Sequence, residues 1–164
     1  MAQPHHQDFV RLLSEHQQLV HKVCRAYCPH PEDQRDLFQE IALQLWRAYP
    51  HFRGEAKVST WMYRIALNVA LSQVRRSRPP TSVLSPQLHH LHDDPPQQDH
   101  LEPLYAAMQM LSDVEKALLL LYFEDNSTEQ IADLTGITPN HVRVKLHRIR
   151  EKLKHHLSHH LSHP

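Results

Sequence analysis

Ser127 to Leu153 reads STEQIADLTGITPNHVRVKLHRIREKL, and its residue order predicts a helix-turn-helix. Ser127 followed by Gln130 makes a capping box that starts the first helix. Ile131, Ala132 and Leu134 supply a short apolar face. Gly136, one of two glycines in the chain, falls where the turn needs a residue tolerant of positive φ. Thr138 can cap the second helix, with Pro139 at its first position, where the missing N–H costs nothing. Val142, Leu146, Ile149 and Leu153 repeat at helical spacing and pack inward. Asn140, Arg143, Val144, His147 and Arg148 then form an outer arc, with His141 near its start and Lys145 and Arg150 at its edges. A basic outer face with polar residues near the helix start suits a major groove. The plainer alternative is a solvated charged face on an ordinary helical hairpin.

Upstream, the Asp125-Asn126 pair predicts a turn, and Ser112 with Glu115 makes a second capping box. Helices are expected over Leu104–Leu111 and Ser112–Phe123. Before them, residues 78–103 read RPPTSVLSPQLHHLHDDPPQQDHLEP. This stretch is rich in proline and histidine, shows no helical face and reads as a flexible linker. About 24 such residues span ~27 Å as a coil and ~80 Å stretched. Two DNA-binding units tethered this way could sit two duplex turns apart, at ~34 Å per turn. Further upstream, Phe9, Leu12, Leu13, His16, Val20, Val23 and Tyr27 predict one amphipathic helix ending before Pro29. A second helix runs from Glu32 to Tyr49, stopped by Pro50, and a third from Ser59 to Arg76 after a loop around Gly54. The fold class is all-α: two small helical domains joined by a flexible linker, the C-terminal one a helix-turn-helix. The expected divisions are 1–78, a linker over 79–103, 104–154 and a histidine-rich tail over 155–164.

Lysine plus arginine equals aspartate plus glutamate, at 18 each, so the chain carries no global basic signal. The charge is segregated, however: within the C-terminal part the acids lie mostly before Gly136 and the bases after it. A basic stripe is what groove recognition needs. No apolar run approaches a membrane span, and MAQPHHQDF lacks the order of a signal peptide. No membrane insertion is expected, and the location implied is cytoplasmic. Cys24 and Cys28 stand one turn apart on a predicted helix, a poor geometry for a disulfide framework. They read as buried thiols in a reducing compartment, with a metal or redox pair as the alternative.

Two helices carry unusual faces. In the second, Leu37, Phe38, Ile41, Ala42 and Leu45 share an apolar side. Glu32, Asp33, Asp36, Gln39 and Glu40 lie opposite, with Leu43 among them and Trp46 at the edge. An acidic ridge holding an apolar residue suits a basic, partly apolar partner helix; a solvated face is the alternative. In the third, Trp61, Arg64, Asn68, Ser72 and Arg75 form one stripe, with Phe52, Arg53 and Lys57 just before it. An aromatic, two arginines and an asparagine on one face can stack on bases, neutralise phosphates and read a base edge. Taken singly, Trp61 is more often a core residue.

These pieces, in this order, resemble the sigma-70 family of bacterial RNA polymerase sigma factors, and the two-domain layout resembles its extracytoplasmic-function group. The resemblance covers about residues 9–78 and 104–153. It implies that in DLFQEIALQLWRAY, Asp36, Gln39, Glu40 and Leu43 dock on the clamp helices of the polymerase's largest subunit. It implies that FRGEAKVSTWMYRIALN handles the −10 element. There the Glu55–Thr60 loop would pocket a flipped base, and Phe52, Lys57, Ser59, Thr60, Trp61, Arg64, Asn68 and Arg75 would contact DNA. Asn140, His141, Arg143, Val144, Lys145, His147 and Arg148 would read the −35 element, and the outer surface of that domain would meet the flap of the second-largest subunit. With no room for a middle domain or an N-terminal autoinhibitory region, restraint falls by this resemblance to a separate anti-sigma protein.

Seventeen histidines concentrate in the linker and the tail. His155, His156, His159, His160 and His163 could bind a transition metal on a helix, since i,i+4 histidines share a face. A low-complexity tail with adventitious affinity is the favoured reading, and no metal site or cofactor is assigned. His92-Asp93 lies in the linker without partner ligands, and no phosphate loop or nucleophile elbow occurs. The expectation is a non-enzymatic initiation subunit. The rivals are a stand-alone helix-turn-helix regulator and a metal-responsive interaction protein. The acidic ridge separates the first rival, because a free-standing regulator needs no polymerase-docking face.

Overall fold

The computed structural model describes residues 4–77 and 100–161, and every regular element among them is helical. The expected first helix is two: α1 (Pro4–Glu15) and α2 (Gln17–Tyr27). His16 leaves helical geometry at φ −114°, ψ 13°, although its N–H still donates to the Leu12 carbonyl at 3.2 Å. Apolar spacing runs on across the bend, so periodicity could not reveal it. The bend lets Phe9 reach Trp46 and Tyr49, at ring-centroid distances of 5.1 and 5.4 Å.

α3 (Pro31–Ala48) begins with proline in its first turn after an extended His30, and Glu32 and Asp33 complement the helix dipole. Pro50 does not simply stop this helix. It is absorbed into a single 3-10 turn, Tyr49–His51. Gly54 then turns the chain at φ 73°, and α4 (Val58–Ser77) follows. α2, α3 and α4 pack mutually around Val20, Val23, Leu37, Ile41, Leu45, Met62, Ala66 and Ala70, all at most 1% exposed. Each large apolar side chain so buried contributes about 1.5–3 kcal/mol.

The second half is α5 (Glu102–Met108), α6 (Asp113–Phe123), α7 (Thr128–Thr135) and α8 (Pro139–Leu161). Glu102 and Pro103, expected to end the linker, instead form the first turn of α5. Proline is harmless there because no helical acceptor awaits its nitrogen. Of the rest of that linker expectation, His100 and Leu101 form a turn, and residues 79–99, like the last residues of the tail, lie outside the described residues. Both capping boxes form: Ser112 with Glu115, and Ser127 with Gln130. Between them Asp125 takes φ 58°, and Asn126 Nδ2 donates to the Leu121 carbonyl at 2.8 Å. α8 buries Val142, Leu146, Ile149 and Leu153, the stripe expected, and continues unbroken through His155, His156 and His159.

Gly136 ends α7 in the left-handed region at φ 74°, and a Cβ built there meets nothing within 4 Å. Any cost of a side chain is therefore conformational, not steric. Gly136→Val should lower unfolding free energy by about 1–2 kcal/mol, and Gly136→Asn by distinctly less. Urea denaturation of the two variants checks this. Equal losses would mean that the turn is not constrained by φ.

The halves do not stand apart. The Tyr27 hydroxyl donates to the Asp113 carbonyl at 2.7 Å, Gln109 Nε2 to the Ala26 carbonyl at 3.2 Å, and Lys22 Nζ to Glu124 Oε1 at 2.8 Å. The Arg25 guanidinium lies 4.2 Å from the Tyr105 ring centroid. Lys116 is buried at this seam, where its ammonium donates to Gln109 Oε1 at 3.2 Å and lies 5.4 Å from the Tyr27 ring centroid. A buried ammonium requires such partners. Burial pushes the Tyr27 phenol up, and the Asp113 charge adds to this, which keeps its O–H a donor.

Candidate nucleic-acid interface

α3 presents Asp36, Gln39, Glu40 and Leu43 to solvent, because its buried stripe of Leu37, Ile41 and Leu45 faces α2 and α4. The ridge is a crest between two grooves. One, of about 690 Å³, sets Asp36 and Glu40 of α3 against Asn68, Ser72 and Arg76 of α4. The other, of about 340 Å³, holds Gln39 and Arg35 beside His21, whose ring stacks on Phe38 at 4.6 Å. Gln44 Nε2 donates to Glu40 Oε1 at 2.9 Å, which helps hold that carboxylate on the groove side. Phe38, expected in the inner stripe, is only half-buried.

On α4, Arg64, Asn68, Ser72 and Arg75 share the exposed stripe, since Met62, Tyr63, Ala66 and Ala70 opposite them are buried. Trp61 divides differently. It is half-buried with its ring 4.7 Å from Phe52, so these two expected contact residues also brace one another. That pair pins the Gly54 loop to α4, and the Trp61 N–H closes the join on the Lys57 carbonyl at 3.0 Å. Lys57 is exposed, whereas Ser59 and Thr60 are half-buried in the first turn of α4.

In the helix-turn-helix, Asn140, His141, Arg143, Val144, His147 and Arg148 are exposed and Lys145 is half-buried. Thr138 Oγ1 accepts from the His141 N–H at 3.3 Å, the cap expected. Arg143 reaches across to Glu129 of α7 at 3.2 Å, both side chains being more than half exposed. Exposed pairs of this kind are worth about 0–1 kcal/mol, weak enough to yield to a phosphate or a base. The Arg150 guanidinium, at the arc's edge, packs over Tyr122 at 4.5 Å.

Sequence reasoning missed two features. Ser72 was on the stripe, but Gln44, Gln73 and Arg76 join Asp36, Glu40 and Asn68 only because α3 and α4 cross. In addition, Arg64 and Asn68 line a cleft of about 280 Å³ that α6 and α7 share, walled by Val114, Leu121, Leu134 and Ile137. Neither arrangement has a one-dimensional signal. Cys24 is buried and Cys28 half-buried. Burial, with Cys28 beside it, pushes the Cys24 thiol up to about 12, and burial also raises Cys28. Both thiols are thereby held toward their protonated form, and only Cys24 is buried as the sequence reading expects.

This geometry has close counterparts. Family models for sigma-70 region 2 and sigma-70 region 4 match residues 12–79 and 101–153. The RNA polymerase sigma-H factor of Pseudomonas aeruginosa is 32% identical over 138 residues, covering 74% of this chain and 72% of that protein. The ECF RNA polymerase sigma-E factor of Haemophilus influenzae is 29% identical over 162 residues, covering 89% and 85%. In fold, the chain is similar to the sigma factor RpoE from Bartonella quintana, solved in complex with the anti-sigma factor NepR. The TM-score is 0.72 at 19% identity, over 93% of this chain and 98% of that one.

Proposed function

Since the chain belongs to the extracytoplasmic-function group of the sigma-70 family, we propose that α3 docks RNA polymerase core, the Gly54 loop with α4 reads the −10 element, and α8 reads the −35 element. As a sigma factor the chain directs promoter-specific transcription initiation and leaves polymerisation to the core enzyme. One observation carries the division of labour: three exposed faces of different chemical character, on α3, α4 and α8, each backed by its own buried stripe. Asp36, Gln39, Glu40 and Leu43 offer a crest for the clamp helices of the largest subunit. The exposed surface of α5–α8 beside Arg150 and Tyr122 is the side offered to the flap of the second-largest subunit.

Reading two DNA elements at once requires the halves to part, because Arg64 and Asn68 share a cleft with α6 and α7. The seam joins polar contacts such as Tyr27–Asp113 and Lys22–Glu124 to apolar packing between the halves, and core and DNA binding would have to replace both. The closed arrangement also supplies a surface for an anti-sigma protein, the partner class present in the Bartonella complex.

Run-off transcription with purified core polymerase on a promoter library tests this reading. Transcripts should start at a fixed distance from paired −35 and −10 elements only when the chain is present. Core alone giving the same products would remove it. The −35 assignment has its own expected result. Arg143→Ala and Arg148→Ala should each cost about 1–3 kcal/mol if the guanidinium contacts a base edge, with preference relaxed at one position. A phosphate contact would instead weaken all sequences alike and flatten the salt dependence. Promoter binding unchanged in both variants would mean that α8 presents a different arc.

A further inference from the structure

α8 does not end with the helix-turn-helix: it runs to Leu161, which lifts His155 and His159 out of a featureless tail. They are one turn apart on one face and both exposed, with ring centroids 4.6 Å apart at an interplanar angle of 80°. The turns beneath them are supported. Leu153 is buried, Leu157 packs against the core, and Lys152 Nζ is tied to Glu115 at 2.7 Å. We propose that His155 and His159 form a two-imidazole clip for a divalent transition ion of the nitrogen-preferring class, zinc, nickel or copper, with solvent completing its coordination.

Helical i,i+4 positions hold Cβ atoms about 5–6 Å apart. An ion bonded to each imidazole at about 2.0–2.1 Å needs its two nitrogens about 3 Å apart. Ring centroids 4.6 Å apart are compatible with that separation. The position in the helix favours a cation as well, since the last turn carries the negative end of the macrodipole. Among the described residues no group of three or more histidine, cysteine or carboxylate side chains converges on an ion. The softness of two imidazole ligands selects imidazole-binding ions over magnesium and calcium. Occupied, it braces the last turns of the helix whose first turns carry the −35 arc.

The test is calorimetric titration of the full chain with nickel or zinc chloride, with calcium chloride as the control ion. Wild type should bind nickel and zinc and ignore calcium, and H155Q and H159Q should each weaken the tightest nickel event at least tenfold. The double variant should add little further, because a single imidazole does not chelate. H156Q combined with H163Q should leave that event unchanged. Equal losses in the two sets, a purely additive loss from H155Q and H159Q, or no loss at all would overturn the clip. Far-UV circular dichroism of each variant checks that α8 remains helical.

Discussion

Alanine at Asp36, Gln39 and Glu40 together is expected to abolish co-purification of the chain with RNA polymerase core while leaving its thermal unfolding unchanged. All three side chains are exposed on α3, and the helix is held by Leu37, Ile41 and Leu45 instead. Alanine is the best helix former, and the like charges of Asp36 and Glu40 at i,i+4 disfavour the helix by a few tenths of a kcal/mol. The fold thus has no reason to weaken. Docking does: truncating one partner of a desolvated charge pair costs about 2–5 kcal/mol, or roughly 30- to several-thousand-fold in affinity. Leu43→Ala should add a smaller, salt-independent loss. Gel filtration of the triple variant with core, with its melting curve alongside, reads both halves of the expectation. Full retention on core would remove docking from this crest.

Strand opening should depend on Asn68. Unpaired bases expose π faces and edges that the duplex hides, so a protein that captures them drives melting by mass action. Each captured base can contribute about 1–3 kcal/mol, comparable to unstacking one base-pair step. Asn68 is exposed on α4 four residues beyond Arg64, with Trp61 held by Phe52 at the loop end of the same stripe. Asn68→Ala should therefore reduce permanganate reactivity of thymines near −10 roughly tenfold or more in the polymerase complex. The −35 footprint should persist, since α8 is untouched. Equal thymine reactivity in variant and wild type would show that melting does not run through α4. A loss of both footprints would place the defect in core binding through the groove that Asn68 shares with Asp36 and Glu40.

Most of the second half was legible because its signals are local. A serine three residues before a glutamine, a glycine at a turn and a proline at a helix start act over a few bonds. Ser127, Gly136 and Pro139 accordingly sit in the conformations their chemistry demands. The inner stripe of α8 is equally local, a matter of spacing along one helix. His16 escaped because a bend that keeps the apolar period leaves no mark in it. Trp61 was ambiguous for a related reason: an indole serves a core and a base stack equally well, and only the position of Phe52 shows that one ring face is taken.

What the amino-acid sequence determined by itself is most of the helices, the caps of α6, α7 and α8 and the chemical character of each face, because these depend on neighbours within one or two turns. Which faces meet was decided by the tertiary structure alone. The α3–α4 crossing places Asp36 and Glu40 opposite Asn68 and Arg76. The seam joins Tyr27 to Asp113, Ala26 to Gln109 and Lys22 to Glu124, pairs separated by more than eighty residues. A contact between distant residues depends on the summed packing of every element between them, so no local pattern encodes it. Only when α6 and α7 lie beside α4 does it emerge that the face proposed for the −10 element is, in this closed arrangement, partly enclosed by the chain's own second half.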